Sequence, residues 1–297
     1  MKLSETVKAL NLNVFNDGSF RNLGKLNALD EDNTLSFLTE EKYIPLLKKT
    51  DKVTCLIVRN ELIERIPFFN GGIIVSENPK STFFMIHRYL IDMELYQKSF
   101  KTRIAPSAKI AKTAVISEKN VEIGENVIIE DYVVIKENTI IGDNSQIRSG
   151  TVISTSGFEA EIIDNVQKIV PHAGWVLIGK NVEIQANNSI SKGLFPSRNT
   201  IISDEVVTDN LVHIAHGVQI GWRTKIAASA MIAGSATIGE KVWVGPFSAI
   251  SSGISIGNDA KITIGSVVTK SVPENSRVTG NFAIDHIKFL ENLKKIR

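Results

Sequence analysis

The sequence predicts a mainly β protein: a left-handed parallel β-helix of hexapeptide repeats, preceded by a small α/β domain and followed by a short C-terminal helix. Three observations lead there. The aliphatics Ile214, Ile220, Ile226, Ile232, Ile238, Val244, Ile250, Ile256, Ile262 and Val268 recur every six residues without a slip. Four residues after each stands a small or aliphatic side chain, from Val218 and Thr224 to Ser266 and Val272. Residues 1–101 show no such period.

A period of six is neither the 3.6 of a helix nor the alternation of a hairpin. It fits a triangular coil of three short strands, about 18 residues per turn, whose inward aliphatics stack from turn to turn. The same period runs through Ile178, Ile184, Ile190 and Ile202, through Ile123 to Ile153, and through Ile104, Ile110 and Ile116. Gly, Asn and Asp in segments such as IGEN, IGDN and IGND mark corners, where the backbone bends sharply. These repeats define a β-helix over 102–272. Two stretches interrupt it. Residues 154–177, with Gly, Pro and aromatics, shift the register and read as a loop thrown out of the coil, and residues 191–201 lose the inward aliphatic at Pro196. Long loops on a rigid scaffold commonly carry function.

In residues 1–101 the patterning predicts a helix near 4–11, strands at LSFL, VTCLIV and GGIIV, a helix at EEKYIPLLKK, and another over about 80–97 opened by Pro79. Residues 273–297 form the C-terminal segment, where helical spacing of Ile284, Ile287, Leu290, Leu293 and Ile296 predicts a cap on the last coil.

With 43% hydrophobic residues in 297, the chain can build a sizeable core. A net charge of +2 without long Lys/Arg runs argues against nucleic acid as a partner. No apolar stretch reaches the ~20 residues of a membrane span, and MKLSETVKAL lacks the apolar core of a secretory signal, so a cytoplasmic location is expected. The single cysteine, Cys55, sits in the apolar run VTCLIV and reads as a core residue.

The block DNLVHIAHGVQIG, residues 209–221, is followed one coil on by Ile232-Ala233-Gly234-Ser235. On these segments, and over nearly its whole length, the chain resembles the UDP-3-O-acylglucosamine N-acyltransferases of lipid A biosynthesis. The resemblance implies a homotrimer with active sites between subunits, His216 as catalytic base, Asp209 as the acid that orients it, and the Gly234 N–H as oxyanion donor. A neutral imidazole suits removal of a proton from an attacking amine, and a fixed N–H suits the charge that collects on the carbonyl oxygen. LSFLTEEKY, residues 35–43, resembles the family's uracil site, with Phe37 and Tyr43 on the two stacking aromatics and Glu40 in place of the base-reading asparagine. His213 and His172 complete the expected substrate contacts.

Two departures stand out. Gly253 occupies the position of the family's second histidine, and the C-terminal helical extension that receives acyl carrier protein is reduced to one short helix. They favour, as first reading, related enzymes that acylate dTDP- or UDP-linked amino-deoxysugars from acyl-CoA for surface polysaccharides. The alternative is the acyl-carrier-protein-dependent lipid A enzyme. Neither implies a permanently bound cofactor. Two minor alternatives are a zinc site built from His213, His216 and His172, which lack ligand spacing, and a non-catalytic scaffold, against which the joint presence of Asp209, His216 and Gly234 argues.

Overall fold

A computed structural model describes every residue except 28, 30, 164, 165, 281, 282, 284 and 297, and the side chains of 163, 289 and 296. The chain opens with α1 (Leu3–Lys8), β1 (Asn13–Asn16), β2 (Asn22–Leu23) and β3 (Thr34–Leu38). It continues through α2 (Ile44–Lys48), β4 (Val53–Val58), α3 (Asn60–Ile63), β5 (Gly72–Val75) and α4 (Pro79–Asp92). The strands form one sheet in the order β1-β5-β4-β3-β2, antiparallel only at the β1–β5 edge. The apolar run VTCLIV is the central β4, buried on both faces as a parallel strand requires. On one side α4 presses Phe83, Phe84, Ile86 and Leu90 against Leu35, Cys55 and Ile57. Sequence patterning missed β1, β2 and α3, which are short and polar, and overextended the last helix, which ends at Asp92.

From Arg103 to Val278 the chain is a left-handed parallel β-helix whose strands fall into three parallel sheets. Face one stacks Ile129, Ile147, Ile184, Thr208, Ile226 and Val244. Face two stacks Ile153, Ile190, Ile214, Ile232 and Ile250. Face three stacks Ile178, Ile202, Ile220 and Ile238. The inward aliphatics make one continuous core along the axis. At the corners, left-handed backbone is taken mostly by residues that tolerate it: Asn126 and Asn144 have φ of 55° and 59°. Their side chains also form a ladder, with Asn126 Nδ2 donating to Asn144 Oδ1 at 3.2 Å. Bulky residues occupy the same conformation at the corner between faces one and two, where Tyr132, Leu211 and Phe247 have φ of 60°, 61° and 55° and are exposed.

Both interruptions leave the coil at one corner, between faces two and three. The first starts with a bulge at Ser154, then forms an antiparallel hairpin of Ala160–Ile163 against Val166–Ile169. The second, residues 192–199, is no minor excursion, because it inserts Leu194 and Phe195 into the apolar cluster of α4 together with Val170 of the first. Phe195 meets Phe83 edge-on at 5.4 Å and His87 at 4.8 Å. The two excursions thereby clamp the N-terminal unit to the coil.

The C-terminal helix runs from His286 to Ile296. Its apolar side chains Ile287, Leu290 and Leu293 are exposed, so the amphipathic spacing produces the helix but does not seat it on the last coil of the same chain. Ile284 lies outside the described residues.

Candidate active site

Strand pairing fixes the centre of the site. Ile214 pairs with Ile232 one coil above, so His216 and Gly234, each two residues further on, stand over one another at the corner where both excursions emerge. A Cβ on Gly234 would lie 2.6 Å from His216 Nε2 and 2.7 Å from Cε1, so any other residue there would strike the imidazole. The Gly234 N–H has no acceptor among the described residues. Ser235 N donates to the His216 carbonyl at 2.8 Å and holds the two coils at this spacing.

His216 is half-buried and lines a small pocket with Lys25, Leu194, Phe195, Arg198, Gly217 and Ser235. Burial pushes its pKa below the usual imidazole value, and Glu159 opposes that shift. Glu159, on the first excursion, pairs with Lys25 at 2.6 Å. Burial alone would raise this carboxyl, but Lys25, His216 and Lys80 outweigh it and hold it below the usual range. Arg198 spans the coils, donating from Nε to the Gly217 carbonyl at 3.1 Å and from Nη2 to the Ser235 carbonyl at 2.8 Å.

A second pocket of about 420 Å³ contains Phe37, Glu40 and Tyr43 with Lys25, Leu26, Asn27, Thr39 and Lys80. The structure therefore brings together the three residues predicted for the base site. Phe37 is wedged against Phe83 at 4.9 Å, while Tyr43 is exposed under Lys42. Lys25 lines this pocket and the one at His216, so the two adjoin.

Comparison with known proteins agrees with this architecture. The bacterial transferase hexapeptide (six repeats) family matches residues 120–155 and 199–234. The UDP-3-O-acylglucosamine N-acyltransferase of Albidiferax ferrireducens is 35% identical over 266 residues, covering 84% of this chain and 78% of that protein. The chain belongs to the UDP-3-O-acylglucosamine N-acyltransferase family. The protein of that name from Bordetella avium is 40% identical over 136 residues, 44% of this chain and 37% of its own length. That from Bordetella pertussis is 35% identical over 156 residues, 51% and 42% respectively. The chain thus spans well under half the length of these Bordetella relatives. Among solved structures, the Francisella novicida UDP-N-acetylglucosamine acyltransferase is 24% identical over 65% of this chain and 71% of its own, with a TM-score of 0.48.

Of the remaining expected residues, Asp209 lies a strand away from His216 within one chain, His213 lies on the strand that leads to it, and His172 packs against it. Asp209 belongs to the corner between faces one and two, where it is exposed and its Oδ1 accepts from the Asn210 N–H at 2.7 Å. Seven residues along a six-residue period lead to the next corner, so Asp209 and His216 of one chain are separated by a whole strand, and among the described acids it is Glu159 whose charge acts on His216. His213 points outward on face two, between Ser189 and Met231 of adjacent coils. Gly253 opens onto space, with no described atom near its Cβ position.

His172 is buried against His216, with ring centroids 5.4 Å apart and planes at 69°. It faces a separate cavity of about 190 Å³ that also contains Lys192, Asn138 and Tyr96. Trp175 donates to Gln97 and stacks on Phe100, which ties the segment after α4 to the coil. Lys25, Glu159 and Arg198 were not legible in the sequence, since no motif marks them. Among the described residues no group of three His, Cys, Asp or Glu could hold a metal ion, and no helix is long and apolar enough to cross a membrane.

Proposed function

We propose that this protein transfers an acyl group from a thioester to the amine of a UDP-linked, 3-O-acylated glucosamine. The observation that carries the reading is the stacking of His216 directly beneath Gly234, which sets a base and a backbone donor side by side at a small pocket that adjoins an aromatic one. In the reaction the amine lone pair attacks the thioester carbonyl carbon, and the π electrons move to the oxygen, which the Gly234 N–H stabilises. His216 Nε2 takes the proton from the nitrogen. Collapse expels the thiolate, which recovers that proton from the imidazolium, giving an amide and a free thiol. Cys55 plays no part as an acyl carrier: it is buried in the other unit and burial pushes its thiol up to about 11.

Phe37 and Tyr43 would hold the pyrimidine between them, with Lys25 and Lys80 beside the diphosphate. A role for Asp209 at His216 would need the Asp209 of a neighbouring copy. Trimerisation is supported by face two, whose outward positions Val115, Val134, Val152, Ser189, His213, Met231, Ala249 and Val267 carry no acid, Lys or Arg along the coil. The dTDP-sugar, coenzyme A-dependent reading that the sequence favoured now ranks second. It retains support from Glu40, which lines the base pocket, but the relatives are named UDP-3-O-acylglucosamine N-acyltransferases.

The test is calorimetric binding of UDP, dTDP, coenzyme A and holo-acyl carrier protein, followed by turnover with the matching donor. UDP binding with acyl-carrier-protein-dependent amide formation is expected. Binding of dTDP and coenzyme A alone would replace it with the second reading.

A further inference from the structure

The resemblance assigned a carboxylate to orient the catalytic histidine, yet among the described residues none bonds His216. What does adjoin it is a second imidazole with an unused acceptor. His172 Nδ1 lies 3.0 Å from the Val170 carbonyl oxygen. A carbonyl only accepts, so Nδ1 carries the ring proton and Nε2 carries the lone pair. That Nε2 is enclosed, on a residue only 5% exposed, and has no partner among the described residues. A buried acceptor without a donor is costly and calls for an explanation.

Gly157 shows where this lone pair looks. A Cβ there would lie 2.6 Å from His172 Nε2 and 2.9 Å from His216 Cδ2, so both atoms border the same small space. A half-turn of His216 about its Cβ–Cγ bond exchanges Cδ2 with Nδ1 and Nε2 with Cε1, while the ring keeps its volume. After that turn Nδ1–H is on the His172 side. Nε2 remains beside Gly234, because Nε2 and Cε1 both border that glycine.

We propose that His172 is a positioning residue: its Nε2 accepts a hydrogen bond from His216 Nδ1–H and so holds His216 in the tautomer whose Nε2 is bare and directed at Gly234. The inference rests on the reading of His216 as the base. An imidazole in this place fixes the tautomer as a carboxylate would, but without bringing a second negative charge into the pocket, where Glu159 already supplies one. Burial, and then the neighbouring His216, push the pKa of His172 down to about 4, which keeps it an acceptor. Its orientation is secured from outside the coil. His87 Nε2 donates to the Pro171 carbonyl at 2.8 Å, and His87 Nδ1 accepts from the Tyr96 hydroxyl at 2.6 Å.

With only five histidines in the chain, ring-15N-labelled protein gives a spectrum simple enough to read each tautomer. Wild type is expected to show His216 as Nδ1–H. His172→Phe, which keeps a ring but no acceptor, should populate Nε2–H at His216 and lower kcat by roughly 10- to 10²-fold with KM little changed, a part of the 10²–10⁴-fold that a general base supplies. His172→Gln, whose amide oxygen accepts, should retain both tautomer and rate. A wild-type His216 in the Nε2–H form overturns the proposal without any variant, as does a His172→Phe protein with unchanged tautomer and rate. The tautomer is read without turnover, so an inert wild type with the expected spectrum would count against the acyl-transfer reading alone.

Discussion

Between Thr200 and Val278 the coil rises without interruption, whereas between Val152 and Thr200 it opens twice at a single corner. The regular part contributes His216 and Gly234, spaced by nothing more than strand pairing. The interrupted part contributes Glu159, His172, Phe195 and Arg198, and through them the grip on Lys25 and α4. The contrast separates two jobs. Periodic stacking sets the distance between reacting groups, and the excursions set their environment: burial, charge and the entrance from the second pocket.

The largest effects should come from the periodic pair. His216→Ala is expected to fold and to lose about 10²–10⁴-fold in kcat. Gly234→Ala should lose rate on a similar scale while leaving the melting temperature nearly unchanged, because its Cβ would displace the imidazole 2.6 Å away rather than disturb the core. Turnover at the wild-type rate in either variant, measured with the same donor and acceptor, would detach the chemistry from this corner.

Next in size is the clamp. Phe195 is 5% exposed among Phe83, Phe84 and His87, so Phe195→Ala should cost about 3–5 kcal/mol of the stability that joins the two units. Hydrogen exchange would locate the loss. Protection is expected to fall in residues 156–199 and α4 and to persist in the coils above residue 202. A uniform loss along the coil would erase the distinction between the two regions.

How much of this could be read beforehand follows the same division. The six-residue period makes each coil's environment repeat, so the fold and the inward residues were visible in the sequence, whereas His216 and Gly234 stood out through the family resemblance of their segments. The same period also contained a warning about Asp209, since a seven-residue step cannot return to the same corner. The path of an ejected loop has no period. Nothing in STSGFEAEIIDNVQKIVPHAGW says that His172 returns to His216, 44 residues later, or that Glu159 meets Lys25 across 134 residues. Such pairings are set by tertiary packing of Val170, Leu194 and Phe195, which leave only isolated apolar residues as their trace. The C-terminal helix fails in the opposite way: its spacing is legible, but among the described residues nothing covers Ile287, Leu290 and Leu293.

Acid should expose the interrupted region first. Burial lowers His87 to about 4, and burial with the nearby His216 lowers His172 to about 4, each from an unfolded value of 6.5. Between these values the unfolded chain binds more protons than the folded one, so stability is fully present above pH 6.5 and is lost as pH falls towards 4. The shifts correspond to roughly 3 kcal/mol for each ring. Urea midpoints at pH 7.5 and pH 5 should therefore differ, and His172→Gln should narrow the difference. An unchanged difference would mean the acid sensitivity lies elsewhere.

The smallest expected effect concerns a flaw inside the regular part. Thr208 takes an inward position on face one, between Ile184 below and Ile226 above, where its neighbours in the stack are aliphatic. It is fully buried and its hydroxyl has no partner among the described residues. Valine has nearly the same shape and prefers strands. Thr208→Val removes the unpaired hydroxyl without opening a cavity, and should stabilise the coil by about 1 kcal/mol. Thr224 provides the control. It is equally buried, but its Oγ1 donates to the Gly239 carbonyl at 2.8 Å and accepts from Val242 N, so Thr224→Val strands two partners and should destabilise. Opposite signs in chemical denaturation would show that the core of the coil depends on hydrogen-bond satisfaction as well as on aliphatic stacking. The same sign for both would mean that burial of the side chain, not its pairing, governs these positions.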